Sequence, residues 1–138
     1  MTNDALAASY LKKVRSRLKV LDVLLADEAW SDVVREAQEL VELSLKAMLR
    51  WAGLEPPKVH DVGPHLRAHH QRFPPGIDAT IPRLAEISAR LRKEREFAFY
   101  GDVDFIPTDQ YTKADAEAAR ADAAFVAAQM QTLLGNPP

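Results

Sequence analysis

Cysteine is absent from the 138-residue chain. That excludes a disulfide framework, a thiolate metal site and cysteine nucleophilic catalysis. Glycine is scarce, at five residues, and none forms a phosphate-binding loop, a dinucleotide fingerprint or a nucleophile elbow. No local signature supports a Ser-His-Asp triad. Uncharged apolar runs fall far short of the length that spans a bilayer. Strand-like alternation, internal repeats and low-complexity stretches are missing too. The opening "MTNDALAASYLKKVRSRL" enters a charged amphipathic pattern directly, with nothing that resembles a signal peptide. The expectation is a cytoplasmic protein without membrane contact.

What is present describes an ordinary globular chain, 47% hydrophobic and 28% charged, of a length that suits one domain over residues 1–138. Net charge is −2, which argues against broad electrostatic wrapping of nucleic acid. The charge is unevenly spread, however. Residues 12–19, "KKVRSRLK", hold five basic residues and no acid, and residues 90–95, "RLRKER", hold four against one. Each run is either a solvated helix face or part of a local basic surface.

Apolar spacing predicts the helices. Leu6, Tyr10, Val14, Leu18, Leu21 and Leu25 form one face over residues 4–26, with Thr2 or Asn3 as the N-cap. Residues 30–52 carry apolar side chains on more than one side, as a central helix does, and Gly53 followed by Pro56-Pro57 stops it. A short helix over 61–71 is capped by Asp61. The fourth runs from the "DATIP" segment to about Tyr100, with Pro82 in its first turn. The last begins at Thr112, with Asp115 completing a capping box, and uses alanine heavily. Residues from about 135 to 138 read as a disordered tail. The predicted fold is all-α: an antiparallel bundle of four long helices plus one short helix.

Several polar residues break this pattern. On the fourth helix Leu84, Leu91 and Ala98 mark the core stripe beside Ile87, and Ser88 and Arg95 lie on the same stripe. A guanidinium has no accessible neutral form and is not buried alone. Arg95 therefore either pairs with an acid such as Glu42 or Glu94, reaches the surface, or holds an anion in a cleft. Glu42 and Lys46 are spaced i,i+4 in the favourable order on the central helix. His60-Asp61 lies at a helix start, where backbone N–H groups attract anions; capping is the competing role for Asp61. His65 and His69 share one helix face, but no second ligand cluster accompanies them, so no metal and no cofactor is expected.

The segments "AQELVELSLKAMLRWAGLEPPKVHDVGPHL" (37–66), "ISARLRKEREFAFYGD" (87–102) and "YTKADAEAARADAAFV" (111–126) resemble the HEPN domain family. The likeness covers nearly the whole chain. It implies a bundle of four or five helices, usually a homodimer, in which many members are metal-independent ribonucleases. Their site is an arginine followed four to six residues later by a histidine. Arg95 matches the arginine, while positions 100, 101 and 102 hold Tyr100, Gly101 and Asp102 rather than histidine. Imidazole is the side chain best suited to move protons near neutral pH. The resemblance thus implies a polar cluster of Arg95, Tyr100, Asp102, Lys46, His60 and Asp61 that binds a nucleotide or RNA phosphate without the usual chemistry. Two alternatives stay open. One is an interaction module of a toxin–antitoxin or defence pair that docks a nucleotidyltransferase, with Tyr100 as a candidate acceptor of modification. The other is an active ribonuclease using a different base, such as His60.

Overall fold

The computed structural model describes residues 4–135, and their architecture is all-α. Helix α1 spans Asp4–Ala26 and α2 spans Trp30–Trp51; a three-residue turn with Glu28 at φ 57° reverses the chain between them. A short α3, Gly63–Ala68, leads through a 3-10 turn to α4, Pro75–Asp78. The long α5, Ile81–Phe99, follows; α6, Pro107–Gln110, lies in the next loop; α7, Lys113–Leu134, closes the bundle. The four long helices coincide with the four expected. The expected short helix over 61–71 is met by α3 and the 3-10 turn after it, while α4 and α6 are additional single turns that open at Pro75 and Pro107. The proposed N-cap of α1 and the end of the proposed tail lie outside the described residues.

Helix α2 is central and packs against α1, α5 and α7. Its buried residues, among them Val34, Leu40, Val41, Leu45, Met48 and Leu49, point to several sides, as its apolar pattern requires. The α2–α7 contact is the most extensive in the molecule. Ala116, Ala119, Ala123 and Ala127 of α7 are all buried, and small side chains let two helices approach closely. Thr112 and Asp115 form the capping box at the start of α7, with Thr112 Oγ1 accepting from the Asp115 amide and Asp115 Oδ2 from the Thr112 amide.

Gly101 governs how the chain leaves α5. Its φ is 69°, in the left-handed region, and a Cβ there would sit 2.5 Å from the Phe105 carbonyl oxygen and 2.6 Å from Pro107 Cδ. Only glycine turns the chain this sharply at a helix end. The turn returns Phe105 to Asp102, whose backbones exchange two hydrogen bonds of 3.0 Å. No helix among the described residues is long and apolar enough to cross a membrane.

Candidate functional site

The inward stripe of α5 carries Leu84, Ile87, Ser88, Leu91, Arg95 and Ala98, and all six are buried. The Arg95 side chain is only 10% exposed, so its charge must be met inside the bundle. Nη1 donates to the side-chain oxygen of Gln38 and, at 2.5 Å, to Glu39 Oε1. Nε makes no hydrogen bond and lies 3.9 Å from Glu96 Oε1. The acid facing Arg95 is therefore Glu39, not Glu42 or Glu94. Glu42 lies a turn further along α2 and is engaged elsewhere. Glu94 projects about 100° around the α5 axis from Arg95 and accepts the Tyr111 hydroxyl at 2.5 Å. Burial, together with that contact and the Glu94 charge, pushes the Tyr111 hydroxyl well above its ordinary pKa.

From Arg95 a polar chain runs along α2. Gln38 turns its Nε2 to Glu42 Oε1 at 3.1 Å and to the His60 carbonyl at 3.5 Å. Glu42 also receives Lys46 Nζ at 2.9 Å and faces His60 Nδ1 at 2.8 Å. Burial by itself would raise the Glu42 pKa, but hydrogen bonds from Lys46, His60 and Gln38 outweigh it and hold the carboxyl below its ordinary value. Glu42 is thus a carboxylate near neutral pH, and His60 is the only imidazole joined to the chain among the described residues.

Asp61 stands one residue before the N-cap position of α3, yet its side chain takes the first amide of that helix. Val62 occupies that position and makes no side-chain cap, while Asp61 Oδ1 accepts from Ser88 Oγ at 2.8 Å and from the Gly63 amide at 3.1 Å. Ser88 in turn accepts from the Val62 amide at 3.2 Å. These bonds tie the 60–63 segment to α5. Gly63 permits the close approach, since a Cβ there would stand 3.0 Å from the Ala85 Cα and Cβ.

Tyr100 and Asp102 stand apart from this network. Tyr100 is 70% exposed and meets the Phe99 ring edge-on, with centroids 4.9 Å apart. Asp102 accepts from its neighbour's amide, Val103, at 2.6 Å. No hydrogen bond or ion pair joins either residue to Arg95 among the described residues. No group of three or more His, Asp or Glu side chains there is arranged to hold a metal ion.

Glu39 also lines an open groove between α1 and α2, of about 670 Å³. Lys12, Lys13 and Arg17 line it from α1, Arg35 and Glu39 from α2, and Phe99 from the end of α5. Glu39 Oε1 lies 3.4 Å from Arg35 Nη2 as well as 2.5 Å from Arg95, so two guanidinium groups share one carboxylate.

The family model of the HEPN domain matches residues 7–131. The chain belongs to the HEPN domain family. No curated protein and no solved structure matches it significantly. Within this HEPN domain Arg95 sits on the core stripe near the end of α5, and the helix runs on to Phe99 with no histidine at its close.

Sequence reasoning passed over Gln38 and Glu39, the two residues that hold the Arg95 guanidinium. Gln38 had a detectable signal. It falls on the buried α2 stripe between Val34 and Val41, a polar interruption of the same kind as Arg95. Glu39 had none, because Glu36 and Glu42 offer the same charge one turn away on α2 and only the facing helix selects among them.

Proposed function

We propose that this HEPN domain binds the phosphate of a nucleotide or RNA at the cluster around Arg95, without arginine–histidine ribonuclease chemistry. The observation that carries the reading is the Glu39 carboxylate held between Arg35 and Arg95. Two fork-shaped donors converging on one oxyanion beside a groove suit a phosphate equally well. Glu39 is 39% exposed, so it swings outward at little cost when a phosphate takes its place. Arg95 Nε and Arg35 Nη1, both without hydrogen-bond partners, are donors in reserve. Lys46 and His60 lie further down the network and set its charge, while Asp61, bonded to Ser88, holds the 60–63 segment against α5. Tyr100 offers an exposed ring for a base.

Isothermal titration of the purified protein with adenosine monophosphate tests the reading. Binding at millimolar ligand or tighter is expected, lost in Arg95→Ala and strengthened in Glu39→Gln, which removes the competing charge but keeps an acceptor. No heat of binding at millimolar nucleotide, with the protein folded by circular dichroism, overturns it.

HEPN domains often dimerise, and one surface favours a protein contact. Phe97, Val103 and Ile106 are exposed apolar side chains at the end of α5 and in the loop beyond. Clustered exposure of this kind marks interaction surfaces. A second copy of the chain is the occupant proposed, with a monomer in sedimentation at micromolar concentration the contrary result. The second reading places a nucleotidyltransferase-type partner there, with the exposed Tyr100 hydroxyl open to modification. Co-purification with such an enzyme distinguishes it.

A further inference from the structure

We infer that the groove between α1 and α2 is a track for the backbone of a single-stranded nucleic acid, leading its phosphates to Arg95. The inference rests on the Arg95 reading for the end point of that track and names its ligand class.

The groove has a built charge pattern. Its lining holds four cations, Lys12, Lys13, Arg17 and Arg35, against two carboxylates, Glu36 and Glu39, a net of two positive charges on a protein of net charge −2. Both carboxylates are engaged. Glu36 lies 3.8 Å from Arg17, and Glu39 is shared by Arg35 and Arg95. Lys12 and Lys13 are exposed and have no ion-pair partner among the described residues. Their ammonium groups are the uncommitted charge of this surface.

Its length and apolar lining select the strand type. The α1 wall runs from Ser9 to Val20, about 16 Å at the helical rise, which accommodates several successive phosphates. Val20, Leu43 and Phe99 add apolar surface to the same lining, and the Arg35 guanidinium lies 4.9 Å from the centre of the Phe99 ring. Bases of a single strand have faces to lay on such side chains, while its phosphates meet the cations of the same lining. A duplex hides its base faces and would leave this apolar surface unused. The basic run "KKVRSRLK", ambiguous as a sequence feature, acquires a role here: only Lys12, Lys13 and Arg17 of its five cations face the groove.

Fluorescence anisotropy with a labelled twelve-residue oligouridylate tests the inference, beside titration with uridine monophosphate. The wild-type protein is expected to bind the oligomer more tightly than the mononucleotide. In Lys12→Ala/Lys13→Ala the oligomer affinity falls about tenfold, and the log–log salt slope becomes shallower by about 1.4, two contacts at 0.7 each. Mononucleotide binding stays unchanged in that variant. Oligomer affinity and slope indifferent to the lysine pair overturn the groove and leave the Arg95 reading intact. Equal affinity for a duplex of the same length also overturns it. Mononucleotide binding that survives Arg95→Ala overturns the Arg95 reading instead.

Discussion

Arg95 and Gln38 offer the sharpest test of what the buried network does. The Gln38→Leu substitution removes the acceptor of an arginine that is 10% exposed and the donor that Gln38 gives Glu42. Hydrogen bonds to charged groups contribute about 1.5–3 kcal/mol each, and a stranded buried donor adds its own desolvation cost. The remaining Glu39 contact compensates little, since that carboxylate is more than a third exposed and its attraction is screened by solvent. A loss of roughly 2–3 kcal/mol follows. Arg95→Met leaves the Gln38 oxygen without its donor inside the bundle, at a cost of about 2 kcal/mol. In the double variant neither group is stranded, and an apolar pair of similar volume fills the space. Its cost is expected near that of either single change, a coupling of about 2 kcal/mol. Urea denaturation of the four proteins measures this. Thermal unfolding should show both single variants and the double variant about 8–12 °C below wild type, at about 4 °C per kcal/mol for a domain of this size. Additive losses, within about 0.5 kcal/mol, would refute the reasoning. If the double variant is stable but no longer binds a nucleotide, the arginine is held in place for its ligand and not for the fold.

Glu42 and Gly101 supply the remaining tests. The folded pKa of Glu42 lies below its ordinary value of 4.5, so its contribution is present above that pH and is lost as pH falls through the depressed folded value; Glu42→Gln should flatten the acid limb of a stability profile followed by circular dichroism between pH 7 and 2.5, and an unchanged limb counts against the assignment. At Gly101 the alanine Cβ would meet the Phe105 carbonyl oxygen and Pro107 at under 3 Å with φ positive, so Gly101→Ala is expected to cost about 2 kcal/mol or more, and a melting temperature within a degree of wild type would contradict it.

Much of the bundle was readable from spacing alone. Helix boundaries for α1, α2, α5 and α7 follow from local periodicity, caps and breakers, each of which acts within one or two turns of chain. The same periodicity exposed Ser88 and Arg95 as polar residues on a core stripe. It did not resolve the connections, where Pro75 and Pro107 each open a single turn too short to show a period. Nor did it show that Asp61 turns to Ser88 across the bundle, 27 residues away.

By itself the sequence determined that the chain is helical, that one arginine lies on a buried stripe, and that no histidine follows it where HEPN ribonucleases keep theirs. Those properties depend on residues within a few positions of one another. Only the tertiary structure decided which groups meet. One step along a helix turns a side chain by about 100°, so whether Arg95 faces Glu39, Glu42 or Gln38 is set by the rotation and height of α2 against α5. The same rigid-body placement brings the basic face of α1 beside Glu39 and Phe99, and so turns a run of charges into one wall of a groove.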